Sequence, residues 1–433
     1  MGIFPENYNI HVSKLVKLWV AEGIVKPIGS KLLEDVAEEY FLDLVERELI
    51  LIHEKKSNGK IKTCRIHDLV RDLCVREAQK EKFFHVTNGS LRGIQEGSNI
   101  HRVSIHRNTK SRNDKILSSP QVRSLLNFDR EVPVAVPLPV PKKSNKKFLF
   151  LFRKRQKTLL RVLHQEGRLE FPNEVAEWVD LRYLDCNSMH IPSSISKLQN
   201  LQTIILRRDM RPLYLSLDIW KMLQLRHVLL EYVILPDPSS VGTEGDRSVF
   251  ILENLQTLSL VMNFRCTEEV IKRIPNIKKL GIHYKDGEMD LEYYCLNNLV
   301  HLHKLESLKL TYFGFSFLIN LSFPTSLKKL TLVEGGLSLE DMSIVGSLPN
   351  LQVLKLRRTP FFRREWITNA GEFFQLKYLL LQSIALKGWR VDPTSFPSLE
   401  CLVLKDCYDF VEIPDEIREI PTLRSIEIYE CGV

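Results

Sequence analysis

The chain has 433 residues, 44% of them apolar and 26% charged, with a net charge of +8. These proportions exclude a disordered chain and suit about two or three folded domains with a sizeable core. The modest positive balance bears on solubility and acidic partners rather than fold, and it reads as a solvated surface, not a nucleic-acid patch.

The N-terminal stretch MGIFPENYNIHVSKLVKLW lacks the charged region and apolar core of a signal peptide. No run of about 18 apolar residues could span a membrane; the greasiest patch is Phe148 to Phe152. Eight cysteines are scattered without a C-x-x-C pair, and none has zinc spacing to a histidine. That usage predicts reduced thiols in a cytoplasmic chain, with the nucleus as a second address, rather than a disulfide frame. His301 and His303 lack companions that would complete a metal site.

In chain order, the first element is a helix through KLVKLWVAE, with Ser13 as its expected cap and Leu15, Leu18 and Trp19 on one face. A second helix runs through LEDVAEEYFLDLVERE, with Val36, Tyr40, Leu44 and Val45 inward. ELILIHE and KIKTCRI then flank Asn58-Gly59, a pair that favours a tight hairpin because both tolerate positive φ. Asp68 is the expected cap of a third helix, LVRDLCVREA, with Leu69, Val70 and Leu73 inward. Helix, helix, hairpin, helix is a winged-helix order. Such a unit could bind DNA, but the second helix carries Glu34, Asp35, Glu38, Glu39, Asp43, Glu46 and Glu48, which phosphates would repel.

The segments IFPENYNI, KLVKLWVAEGIV, LEDVAEEYFLDLVERELI and CRIHDLVRDL resemble the winged helix of plant coiled-coil nucleotide-binding leucine-rich-repeat resistance proteins, close to the late-blight-resistance group. The resemblance implies that Ile66, His67 and Asp68 correspond to the family's methionine-histidine-aspartate motif. His67 would then sense the diphosphate of ADP, with Asp68 supporting it and Ile66 replacing the usual Met. A histidine at a helix start can donate to a phosphate, and the helix N-terminus adds N–H donors. Without the resemblance, the same residues read as a cap and a packed loop residue. No G-x-x-x-x-G-K-[ST] phosphate loop occurs, and Gly59-Lys60 lies in the hairpin. The expectation is a truncated receptor or fragment that hydrolyses no ATP and holds no cofactor itself, the ADP or ATP belonging to the full-length family.

From residue 96 onward the pattern L-x-x-L-x-L recurs fourteen times, its first positions running from Ile100 to Leu423, mostly in steps of 20 to 25 residues. This is the leucine-rich-repeat period. The predicted fold class is α/β: a partial winged helix over residues 1–85, then a repeat solenoid over 86–433 with a parallel sheet on its concave face. An insert at about 129–158 carries Pro133, Pro137, Pro139 and Pro141, then a basic run from Lys142 to Lys157, read as a solvated loop over a nuclear address.

The residues between the inward aliphatics form columns on the open face. Arg207, Lys309, Lys355, Arg357, Arg358 and Lys405 make part of that face basic, while Ile205, Leu229, Leu380 and Val403 are expected to be apolar and exposed. Exposed apolar positions among charges point to protein binding. By resemblance, the repeats restrain the nucleotide-binding and coiled-coil portions and respond to a pathogen effector or host guard protein, with no nucleic acid and no membrane span. The basic strip would meet an acidic ligand or the acidic helix face at 34–48. Alternatives are a free-standing truncated adaptor or decoy, and an ADP/ATP switch if an upstream nucleotide-binding region exists.

Overall fold

The computed structural model describes the chain except residues 88–99, 107–121, 130–158, 170, 172, 189–190, 208–211, 239–249, 286–290, 315–320, 411 and 433. The proline-rich insert and the basic run from Lys142 to Lys157 therefore lie outside the described residues. The chain forms two compact units: residues 1–211 with 224–228, and residues 212–223 with 229–433.

The first unit opens with β1 (Ile10–His11) and α1 (Val12–Glu22), then α2 (Leu33–Glu46), β2 (Ile50–Lys55), β3 (Ile61–Ile66) and α3 (Asp68–Lys80). The strands form an antiparallel sheet in the order β1-β3-β2. α1 buries Leu15, Val16, Leu18, Val20 and Ala21, and ends where Gly23 enters the left-handed region at φ 75. Ser13 does not cap it: the cap position is His11, which offers no side-chain bond, and Ser13 is exposed within the first turn. In α2 the inward stripe is Val36, Ala37 and Phe41, while Tyr40 is 41% exposed. Of the expected residues Val36 is buried and Leu44 and Val45 pack half-buried against the core; Tyr40 alone turns out, and Ala37 and Phe41 complete the stripe.

The hairpin closes as expected but by a longer route. Lys56 N–H bonds Lys60 O, Gly59 N–H bonds Lys56 O, and only Gly59, at φ 75, is left-handed. The loop therefore has three residues with glycine at its last position, not a two-residue turn with both residues left-handed. α3 departs furthest from the reading of its sequence. Leu69 is 76% and Leu73 49% exposed, so the face that meets the unit is Arg71, Cys74, Val75 and Ala78.

A parallel ladder follows: β4 (His85–Thr87), β5 (Arg102–Ile105), β6 (Ser124–Asn127), β7 (Val162–Arg168), β8 (Tyr183–Asn187) and β9 (Thr203–Arg207). The second unit repeats it with β10 (Leu213–Tyr214), β11 (His227–Ile234), β12 (Thr257–Met262), β13 (Lys279–Tyr284), β14 (Ser307–Gly314), β15 (Lys329–Gly335) and β16 (Val353–Arg357). It then adds β17 (Glu365–Ile367), β18 (Tyr378–Gln382), β19 (Gly388–Arg390), β20 (Cys401–Lys405) and β21 (Ser425–Tyr429). In this unit the main ladder runs β11-β12-β13-β14-β15-β16-β18-β20-β21, and β17 pairs with β19 on the return side.

Every one of the fourteen pattern positions has a strand beginning two residues later, from Arg102 to Ser425. The inward residues Leu354 and Leu356 are fully buried. Neighbouring turns cover them, as stacking requires, because no single turn can bury its own aliphatic face. On the opposite face Leu380 and Val403 are buried, not exposed. They sit in one row between Lys355 and Glu427, whose long stems can cover apolar neighbours while their heads reach water.

Candidate functional site

The core of the winged helix does not end at its own boundary. Phe4, Leu15, Val36 and Phe41 form one buried cluster with Leu126, Phe128, Val162 and Tyr183, which belong to the first repeats. Leu126, Val162 and Tyr183 are open-face residues of β6, β7 and β8, and α1 lies against β7 and β8. The winged helix is thus seated on the open face of its own unit's ladder, and Asp185 and Ile205 lie beneath it instead of facing water.

A charged cluster is sealed in this seat. Asp185 is fully buried; its Oδ2 accepts hydrogen bonds from His164 Nδ1 at 2.9 Å and from the Tyr183 hydroxyl at 3.2 Å. Arg207 Nη2 lies 2.8 Å from Oδ1, close but off the hydrogen-bonding axis, and Lys14 Nζ of α1 lies 3.7 Å from Oδ2. Lys14 Nζ is also 3.1 Å from His164 Nε2. This geometry assigns a neutral imidazole that donates through Nδ1 and accepts at Nε2. Tyr8 donates to Glu166 at 2.9 Å. Two carboxylates, Asp185 and Glu166, and two cations, Lys14 and Arg207, therefore balance. Burial pushes the Asp185 carboxyl up, but the His164 hydrogen bond and the cations outweigh it and hold it well below the usual range. Burial lowers both Lys14 and His164.

A second anchor joins α2 to Arg226 and His227, which belong to the same unit. Glu34 accepts a two-pronged contact from Arg226, Nε to Oε1 and Nη2 to Oε2, both at 2.6 Å, and a third from His227 Nε2 at 3.1 Å. Burial alone would raise its carboxyl; the bonds from Arg226 and His227 overcome that and hold it far down. The fork geometry is the strong form of carboxylate recognition. Glu34 therefore does not belong to the solvated acidic face on which the sequence placed it. A third anchor is Glu22, which receives Arg102 Nε at 2.9 Å and the Ser124 hydroxyl.

These anchors make the seat acid-sensitive. Burial pushes His227 down to about 4 and lowers His164. A histidine depressed in the folded state binds protons more readily when unfolded, so its stabilisation is complete above about 6.5 and is lost as pH falls below that. The depressed Asp185 and Glu34 act in the same direction at lower pH. The unit should lose up to about 1.4 kcal/mol per pH unit for each histidine below pH 6.5. Denaturant midpoints followed by hydrogen exchange in α1 read this directly; equal midpoints at pH 7 and pH 5 would contradict it.

Ile66, His67 and Asp68 come together at the start of α3. Ile66 is buried, while His67 and Asp68 are exposed. The cap is His67, not Asp68: its Nδ1 accepts from Leu69 N–H at 3.3 Å, and Asp68 is already the first helical residue. The imidazole thereby occupies one of the N–H groups that a phosphate would need. One exposed histidine at a partly capped helix start does not form a nucleotide cradle by itself.

Of the basic open-face residues, Arg207 is committed to Asp185 in the first unit. In the second unit, Lys309 (β14) and Lys355 and Arg357 (β16) lie on strands separated by β15, and Arg358 follows, ion-paired with Glu334 at 2.6 Å. Lys355 Nζ lies 4.7 Å over the Tyr378 ring, and Lys405 is exposed on β20. Lys279 and Lys329 share this face and escaped the sequence reading. The alternation could have found them, since Lys279 lies two residues before Gly281 and Lys329 two before Thr331, which share the outward side of their strands. Among the described residues, no group of three or more His, Cys, Asp or Glu could hold a metal ion, and no helix is long and apolar enough to cross a membrane.

Comparison with known proteins agrees with this architecture. Residues 3–74 match the disease resistance protein winged helix domain. All of the chain aligns with late blight resistance protein homologs of Solanum demissum. It is 32% identical to the homolog R1B-16, covering 33% of that protein. A second homolog from the same species is also 32% identical, with 56% of it covered. Late blight resistance protein R1-A, again from Solanum demissum, is 29% identical, with 34% of it covered. The chain thus spans between a third and just over half of the relatives it matches. It is a homologue of the plant late blight resistance proteins, built of a winged-helix region followed by leucine-rich repeats.

Proposed function

We propose that this chain is the recognition and restraint part of a plant disease resistance protein and performs no catalysis of its own. Its first repeats hold the winged helix, and the remaining open face of the repeats takes a protein partner, a pathogen effector or a host protein. His67, exposed at the start of α3, is the residue through which a nucleotide held by other parts of a longer receptor would be sensed. Action in the cytoplasm suits the eight free thiols.

The observation that carries the restraint is the burial of open-face residues of β6 to β8 under α1, with charges from both sides paired. Arg226→Glu tests it, because it sets two carboxylates against each other at Glu34. Hydrogen exchange in α1 and α2 should accelerate at least tenfold while β13 to β16 keep their protection. Unchanged exchange in both helices would remove the proposal.

A further inference from the structure

The second unit carries a band of cations on its open face. Lys279 and Lys329 occupy one row of its open face, on β13 and β15. Lys309 and Lys355 occupy the next row, on β14 and β16, and Arg357 and Lys405 a third, on β16 and β20. Each pair is two strands apart in the ladder, about 10 Å at a strand spacing of about 4.8 Å. Lys279, Lys309, Lys329, Arg357 and Lys405 make no ion pair among the described residues; the nearby Glu334 is taken by Arg358. Arg357 Nε is shielded from solvent and has no hydrogen-bond partner among the described residues.

From this placement we infer that the band binds an extended acidic segment of a partner protein. The inference rests on the recognition reading above and names the chemistry of the partner. Like charges gathered on a folded surface repel one another unless an anion comes to them. The molecule registers that repulsion: burial first, then neighbouring cations, lowers both Lys309 and Lys329, with Arg357 acting on each. An extended acidic segment fits better than a phosphate group. Within each row the two cations stand about 10 Å apart, and successive rows about 7 Å apart, so the charge is spread along an open face rather than gathered on one point. A polyproline II segment repeats every three residues at about 3.1 Å each, so an acid at every third position recurs about every 9 Å along one side. That matches the two-strand spacing within the rows.

The test uses the full chain and a fluorescent peptide of four Glu-Pro-Pro repeats, read by anisotropy at low salt. Binding should occur, should weaken steeply with added salt, and should fall at least tenfold in the Lys309→Glu/Lys355→Glu chain. Lys309→Gln/Lys355→Gln should show an intermediate loss, and serves if the charge reversal disturbs folding. Equal binding of a Gln-Pro-Pro peptide would overturn the inference. So would tighter capture of inositol hexakisphosphate that the acidic peptide cannot displace, which would assign the band to phosphate. If the wild-type chain ignores the peptide while Arg226→Glu still releases α1 and α2, the acidic partner is wrong and the restraint stands.

Discussion

Asp185→Ala should destabilise the first unit by about 3–5 kcal/mol, the range for removing one partner of a buried ion pair. The carboxylate is fully buried and accepts from His164 and Tyr183, with Arg207 and Lys14 beside it. Its loss leaves two cations facing each other with only Glu166 to balance them. It also leaves His164 Nδ1 and the Tyr183 hydroxyl without an acceptor, and unsatisfied buried donors cost on the order of 1–3 kcal/mol each. Asp185→Asn should cost less, since the amide oxygen can still accept from His164 while the charge is lost.

The loss should appear first where the cluster is sealed, as faster exchange in α1 and a lower denaturant midpoint for the winged helix. A combined change tests whether the cost comes from stranded charges. Lys14→Met with Asp185→Leu and His164→Leu removes the buried Lys14–Asp185 pair and its imidazole partner together, leaves the part-exposed Arg207 to solvent, and should recover a substantial part of the loss, as apolar replacement of a buried ionic group can. A triple variant as unstable as Asp185→Ala would show that shape, not charge, holds the seat.

The second large effect lies in the other unit. Trp366→Ala should cost about 3–5 kcal/mol, the usual loss for truncating a buried large aromatic. Trp366 is fully buried on β17 and stacks on Trp389 of β19 at 5.0 Å between centroids, with the ring planes 4° apart. Phe361 stacks on it at 5.8 Å, and Phe373 and Phe396 meet it edge-on at 5.7 and 5.9 Å. Removal empties a space bounded by rings whose neighbours are themselves locked, so little collapse can relieve it.

Trp366→Phe should cost much less, for two reasons. A ring is retained, and the indole Nε1 is buried with no hydrogen-bond partner among the described residues, so no hydrogen bond is lost with it. Thermal or denaturant unfolding of the second unit separates these outcomes. A loss under about 1 kcal/mol for Trp366→Ala would mean the aromatic stack contributes little.

Much of the fold was legible in the residues because its periodicities are strong. A two-residue alternation inside a repeat of 20 to 25 residues placed every main-ladder strand from β5 onward. The winged-helix order was readable from two apolar stripes and an Asn-Gly pair. Where local signals were weak, the reading slipped by one position. His67, not Asp68, caps α3, because an imidazole can fill the same acceptor role as a carboxylate. α3 turns Leu69 and Leu73 outward because its inner face meets the N-terminal segment: Arg71 Nε donates to Phe4 O at 3.1 Å.

The candidate site was the least legible part. Asp185 and Ile205 sit at positions that alternation assigns to solvent, and Glu34 sits on a helix face rich in acids. Their burial depends on partners that are distant in sequence: Arg226 is 192 residues from Glu34, and His164 is 150 from Lys14.

The amino-acid order alone determined which residues point inward in each repeat, because aliphatic spacing is a local property that stacking neighbours can only satisfy. It determined the helix and hairpin succession of the first 85 residues for the same reason. Which outward residues remain outward was decided by tertiary structure. A charged side chain is stable either in water or opposite a buried counter-charge, and its own sequence neighbourhood does not distinguish the two. Only when α1 settles on β7 and β8 do Lys14, His164 and Asp185 become one cluster.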